Sequence, residues 1–230
     1  MKRICLSSFI ILVTIFSCSE NDNKDNDLQA PSDGLVAYYN FNGNSLDREG
    51  SNDGTDTNVT YTFRDDENKE AAHFAGDNSF VDLPDDFDFE DKTIALSFSA
   101  ESISPTRSVL YGSDHNNLEF GLTVMTLIDN GGNKTLDLNV SNEVVSIPVS
   151  ENTWYNVIMI SDSKTYRYYV NGTLVGSGTF ANYIHSGNGD AFATIGRARV
   201  PVLFYDGLID NVRIYNRALT EEEVEILADF

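Results

Sequence analysis

GLIDNVRIYNRAL, residues 207–219, reads as a β-strand that carries a carboxylate where an aliphatic side chain belongs. Side chains alternate between the two faces of a strand. Leu208, Val212 and Ile214 share one parity and are expected to face a core, and Asp210 shares it with them. Ile209, Asn211, Arg213 and Tyr215 fall on the other side. A buried carboxylate is costly unless it is hydrogen-bonded, ion-paired or metal-bound. Arg213, the nearest cation in the strand, has the wrong parity to help. Two arrangements satisfy Asp210: a hard cation that takes oxygen ligands, or backbone amides capped by the carboxylate at a bulge.

The same period of two recurs along the chain. Ile94, Leu96 and Phe98 oppose Ala95, Ser97 and Ser99, and Leu118, Phe120, Leu122 and Val124 oppose Glu119, Gly121 and Thr123. Other short β-rich runs are GLVAYYNF, HFAGDNSFVDL, SVLYG, TLDLNV, VVSIPV, WYNVIMIS and FATIGRA. In TYRYYVNGTLVGS, Asn171-Gly172 between two such runs predicts a tight hairpin. Many short strands at regular spacing predict an all-β sandwich of two antiparallel sheets, a jelly roll. One helix is expected, at the C-terminal end. TEEEVEILADF opens with Thr220, and Glu223 three residues on completes a capping box. Val224 and Leu227 share a face that docks it, together with Leu219.

The 230 residues carry 15 Lys+Arg against 36 Asp+Glu, a net charge of −21. So acidic a surface repels phosphate backbones and argues against nucleic-acid partners. The first 17 residues, two cations followed by an apolar run, read as a secretory signal too short to span a membrane comfortably. IFSC, residues 15–18, resembles the lipobox of bacterial lipoproteins, which implies cleavage before Cys18 and lipidation of its sulfur. Cleavage removes two cations and no acids, taking the net charge from −21 to −23. Residues 18–33 form a polar, acidic segment expected to be a disordered tether. Acidic residues directly after the cysteine resemble the export tags of outer-membrane lipoproteins that face the cell exterior.

GLVAYYNFNGNSLDREGSNDGT, NTWYNVIMISDSKTYRYYVNGTLVGSG and FYDGLIDNVRIYNRALTEEEV appear in that order across residues 34–224. They resemble three segments of laminin-G-like, concanavalin-A-like jelly-roll domains. The resemblance implies one domain over residues 34–230, with two sheets face to face, in a family of sugar-binding modules and adhesion domains. It supports fold better than function. Such families commonly hold a structural calcium where the last strand's Asp meets the first loop. Carried over, the ligands are Asp210, Asn42 and Asp47, with Asp53 and carbonyls near Asn40 and Gly76 as additional donors.

Glycan contacts are expected from outward aromatics. Tyr166, Tyr168 and Val170 take the core parity, which leaves Arg167 and Tyr169 outside; Tyr183, His185, Tyr111 and Asp114 lie in loops that could rim the same sheet. Trp154 in NTWYNV is assigned to the core. Asp86, Asp88 and Glu90 resemble the Glu-x-Asp-x-Glu comb of concanavalin-A-like glucanases, but the first position is Asp and the setting is a loop. The three histidines lack metal-ligand spacing. The expectation is a non-catalytic, carbohydrate-binding surface lipoprotein whose partner is a glycan or polysaccharide. A protein-binding or adhesion domain with a cell-surface protein as partner is the alternative, and a glycoside hydrolase the weaker one.

Overall fold

Wherever apolar and polar residues alternate, the chain forms strands, and they pair into two sheets. The computed structural model describes residues 29–64, 69–85, 87, 89–113, 123–181, 193–198 and 202–229. In chain order these residues form β1 (Leu35–Tyr39), β2 (Thr55–Thr57), β3 (Thr60–Arg64), β4 (Lys69–Ala75), β5 (Phe80–Asp82), β6 (Lys92–Ser102), β7 (Ser108–Ser113) and β8 (Thr123–Asn130). They continue with β9 (Asn133–Val140), β10 (Glu143–Pro148), β11 (Trp154–Ser161), β12 (Thr165–Val170), β13 (Thr173–Thr179), β14 (Ala193–Ile195), β15 (Asp206–Tyr215) and α1 (Glu221–Ala228). The first sheet runs β13-β12-β11-β6-β15-β4-β3, with β1 also paired to β15; the second runs β10-β9-β8-β7-β14-β5-β2. All the pairings are antiparallel, as a jelly roll requires.

The core between the sheets follows the expected parities. Ile94, Leu96 and Phe98 of β6 meet Leu136, Leu138, Met125 and Leu127 of the second sheet. Tyr168 is fully buried there, with Tyr166 and Val170 packed around it. Asn171 and Gly172, both in the left-handed region (φ +48° and +72°), close the β12–β13 hairpin, in keeping with a type I′ turn. HFAGDNSFVDL is two strands rather than one: β4 ends at Ala75 and β5 starts at Phe80 in the other sheet. β2 and β3 were not among the expected strands.

β15 departs from simple alternation, and that changes where Asp210 points. Ile209 pairs with Phe98 and Asp210 with Ser97, but the next pairing along β6 matches Ala95 with Arg213. Asn211 and Val212 thus oppose one residue, which is a β-bulge. Asn211 sits at φ +54°, a conformation that Asn tolerates better than most residues. The bulge reverses parity along the strand: Ile209 before it, and Val212 and Ile214 after it, all enter the core. Asp210, on the side of Ser97 and away from the core, belongs to the outer face of the first sheet, and the expectation that it shares the core with Leu208 is corrected.

Helix α1 lies on that same outer face. Val224, Leu227 and Leu219 pack with Ala95, Ile158, Ile160, Tyr169 and Tyr215 in a second, smaller apolar cluster. The capping box is present: the Glu223 amide donates to Thr220 Oγ1, and the Thr220 amide donates to the Glu223 carboxylate. Arg217 holds the same carboxylate at 2.8 and 2.5 Å. The helix covers one half of the outer face and leaves the other half to polar side chains.

Candidate functional site

The half-face beside α1 is built from side chains that β-sheet register places in two rows. In one row Trp154 (β11) lies opposite Ser99 (β6), Ser99 opposite Leu208 (β15), Leu208 opposite His73 (β4) and His73 opposite Thr60 (β3). In the next, Asn156 lies opposite Ser97 and Ser97 opposite Asp210. Arg64, at the end of β3, reaches over these rows. Its Nη1 donates to Asp210 Oδ2 at 3.0 Å, and its guanidinium carbon sits 4.1 Å from the centre of the Trp154 ring. That is cation–π distance.

Asp210 is only 2% exposed. Besides Arg64, it accepts the Asn211 backbone amide at 2.7 Å and the Asn211 side-chain amide at 3.2 Å. Tyr38 Oη donates to Asn211 Oδ1 at 3.0 Å, and the Arg213 guanidinium lies 4.1 Å from the Tyr38 ring centre. A continuous network therefore runs from Trp154 through Arg64, Asp210, Asn211 and Tyr38 to Arg213. Burial raises the Asp210 carboxyl above the usual carboxylate range, and the hydrogen bonds from Arg64 and Asn211 offset only part of that. Burial likewise raises the Tyr38 phenol, against the pull of Arg213. In the row that ends at Asp210, two buried polar atoms have no hydrogen-bond partner among the described residues: Ser97 Oγ and Asn156 Oδ1. The Asn156 amide nitrogen is tied to the Leu227 carbonyl of α1, so its orientation is fixed.

Each of the expected calcium ligands has hydrogen-bond partners within the protein. Asp210 is held by Arg64 and Asn211. Asp47 accepts the amides of Tyr38, Glu49 and Asn52 at 2.9, 2.9 and 3.1 Å. Burial works to raise its carboxyl, but backbone amides outweigh that and hold it below the ordinary value. Asn42 Oδ1 accepts the Glu70 amide at 3.2 Å, and Asp53 accepts the Asp47 amide at 3.0 Å. Among the described residues no group of three or more His, Cys, Asp or Glu side chains could hold a metal ion. The carboxylate that posed the problem is satisfied by an arginine 146 residues away in sequence and by a bulge amide.

Of the expected glycan contacts, Arg167, Tyr169 and Tyr111 lie among the described residues. Arg167 and Tyr169 do point out of the sandwich, but under α1: Tyr169 is 5% exposed, and Arg167 Nη2 donates to the Leu219 carbonyl at 2.9 Å. They anchor the helix and offer no open ring. Tyr111 is fully buried in the core. Tyr183, His185 and Asp114, like Asp86 and Asp88 of the acidic comb and Cys18, lie outside the described residues. Trp154 is the reverse correction. It is half-buried on the outer face, with its partner Ser99, and not in the core. The signal was present in β11, where Tyr155, Val157 and Met159 alternate with Trp154, Asn156, Ile158 and Ile160. Both sets look apolar because α1 covers Ile158 and Ile160.

An aromatic ring, a guanidinium, an amide and hydroxyls therefore share one sheet face of a two-sheet jelly-roll sandwich. The chain belongs to the Laminin_G_3 family of the concanavalin A-like lectin/glucanases superfamily, whose pattern matches residues 74–225. No curated protein matches the chain. Among solved structures it resembles domain 4 of a GH43 extracellular arabinanase from Geobacillus stearothermophilus, solved in complex with arabinotriose. That match has 25% identity and a TM-score of 0.67, covering 84% of this chain and 98% of that one. A Trypanosoma rangeli sialidase matches at 16% identity and a TM-score of 0.67, but over only 33% of its own length. The binding domain of Paraclostridial Mosquitocidal Protein 1 matches at 18% identity and a TM-score of 0.63, over 52% of its length. The last two establish the fold alone.

Proposed function

We propose that the protein is a non-catalytic carbohydrate-binding module that takes a glycan on the outer face of the first sheet, beside α1. The observation that carries this reading is the pairing of Trp154 with Arg64 above two buried, unpartnered polar atoms, Ser97 Oγ and Asn156 Oδ1. A buried polar atom left unsatisfied costs about 1–3 kcal/mol. A sugar's hydroxyls, or the waters they displace, supply the missing hydrogen bonds, while C–H groups stack on the indole. The arabinotriose bound by the arabinanase domain, which is similar over nearly all of its length, supports an oligosaccharide as the ligand class.

The reading is non-catalytic because glycoside cleavage calls for two carboxyl groups flanking one bond. Asp210, the carboxylate buried in the Asn156–Ser97–Asp210 row, is occupied by Arg64 and Asn211. Export and a lipid on Cys18 complete the proposal and place the module at the outer membrane, facing the exterior. The test is a glycan array that includes arabino-oligosaccharides, probed with the wild-type protein and with Trp154→Ala and Asn156→Ala. Binding that both substitutions weaken at least tenfold is the expected result. An array without hits, together with specific capture of a cell-surface protein, would favour the adhesion reading.

A further inference from the structure

At the end of the sandwich where β6 stops and β15 starts, the layer between the sheets turns hydrophilic. Phe98 and Ala100 of β6 face the core, and Ser102 comes next in the same alternation. Across from it β7 opens with Ser108, which pairs with the core residue Leu127. Between them lies a cleft of about 320 Å³ lined by Ser102, Ser104, Thr106, Ser108, Phe204 and Asp206. Gly76, also in the wall, packs closely against Asp206. Its φ is +75°, and a Cβ there would lie 3.1 Å from Asp206 Cβ.

One of the lining groups is unsatisfied, and a carboxylate stands beside it. Ser108 is 3% exposed, and its Oγ has no hydrogen-bond partner among the described residues. Burial, with the nearby charges of Glu101, Asp77 and Glu151, raises the pKa of the half-buried Asp206 carboxyl, and His73 opposes them. The wall's cation, Arg107, is turned to Asp137 and Thr126 at 2.8 and 3.1 Å. Phe204 is braced by Phe80, with ring centres 6.3 Å apart.

We propose that this cleft is a second binding site, which takes a single neutral sugar ring. The Asp206 carboxylate and the Ser108 hydroxyl would receive and donate hydrogen bonds to ring hydroxyls, and Phe204 would meet the ring's C–H face. The volume stands at the low end of ligand pockets, about 300–1,000 Å³, which suits one ring and not a chain. The surrounding carboxylates disfavour an anion. A bare metal ion would leave most of the space empty, and a calcium shell takes about six to eight oxygens. The site is separate from the Trp154 face and does not depend on it.

Saturation-transfer NMR on the full chain with the methyl glycosides of arabinose, galactose and glucose tests the proposal. At least one glycoside should receive saturation. Asp206→Asn and Ser108→Ala should each weaken it about tenfold, the scale of one hydrogen bond to a charged group. Trp154→Ala should abolish any oligosaccharide response of the sheet face, and the glycoside response that persists in it belongs to the cleft. Absence of transfer from all three glycosides would overturn the proposal. So would binding that survives both cleft substitutions, or binding lost only in Trp154→Ala. Calcium that raises the melting temperature of the wild type but not of Asp206→Asn would reassign the cleft to a cation.

Discussion

Asp210 shows how a single residue can be read correctly as a problem while its protein partners lie out of sight of the sequence pattern. The parity of Leu208, Val212 and Ile214 identified a carboxylate in a buried stretch, and it is buried. What the alternation could not show was the bulge at Asn211, because a two-for-one register shift leaves no mark in a period-2 pattern. Nor could it show Arg64, which β-sheet pairing brings from β3. The pair makes a definite prediction. Arg64→Ala leaves a buried, uncompensated carboxylate, a change that costs about 3–5 kcal/mol at a fully buried site. Arg64 is itself 16% exposed, so about 1–3 kcal/mol is expected here. That lowers the melting temperature by roughly 2–4 °C per kcal/mol in a domain of this size. Adding Asp210→Asn to Arg64→Ala should recover part of the loss, since the stranded charge is gone. A chelator should leave the wild-type melting curve unmoved, because the oxygens of Asp210 already have partners; a drop comparable to that of Arg64→Ala would restore a metal to this residue. The sign with pH also follows. The folded pKa of Asp210 is raised, so its favourable contribution is complete below the ordinary carboxylate pKa and is lost as pH rises through the folded value.

Among the elements, α1 and β11 explain each other. The capping box Thr220–Glu223 and the docking pair Val224–Leu227 were legible because a helix N-terminus depends on local chemistry. Its docking place was not, and the missing fact misled the assignments of Trp154, Arg167 and Tyr169. β11 and β12 carry apolar side chains on both faces only because the helix lies over one of them. Leu227→Ala should cost about 2–5 kcal/mol, the range for a buried leucine, and should expose Tyr169 to solvent. Glu223 gives the element a pH signature. The hydrogen bonds from Arg217 hold its carboxyl down to about 2. A lowered folded pKa means stability that is present above the unfolded value, near 4.5, and lost as pH falls toward 2. Melting curves of the wild type and Glu223→Gln should therefore differ at pH 6 and converge near pH 2. A difference independent of pH would mean that the cap, without its charge, holds the helix.

In the whole molecule, strand alternation, turn residues and three segments resembling one family made the jelly roll legible from the sequence. The candidate face was not legible, since it is assembled across β3, β4, β15, β6 and β11 and depends on a register that no single strand contains. The first sheet's outer face is divided between a part sealed by α1 and a polar part, and the proposed binding site is the polar part. The proposed anchor adds one expectation at this scale: Cys18→Ser should move the protein from the membrane fraction to the soluble one, and an unmodified Cys18 in the mature protein would remove the anchor. The binding face has a reporter of its own, because Trp154 is the sole tryptophan of the chain. Titrating arabinotriose, and then any glycan retained on the array, while following tryptophan emission reads that face directly. The account predicts a saturable change in emission for at least one glycan, weakened at least tenfold in Asn156→Ala. A glycan that binds the protein at saturation while the emission of Trp154 stays constant would contradict it.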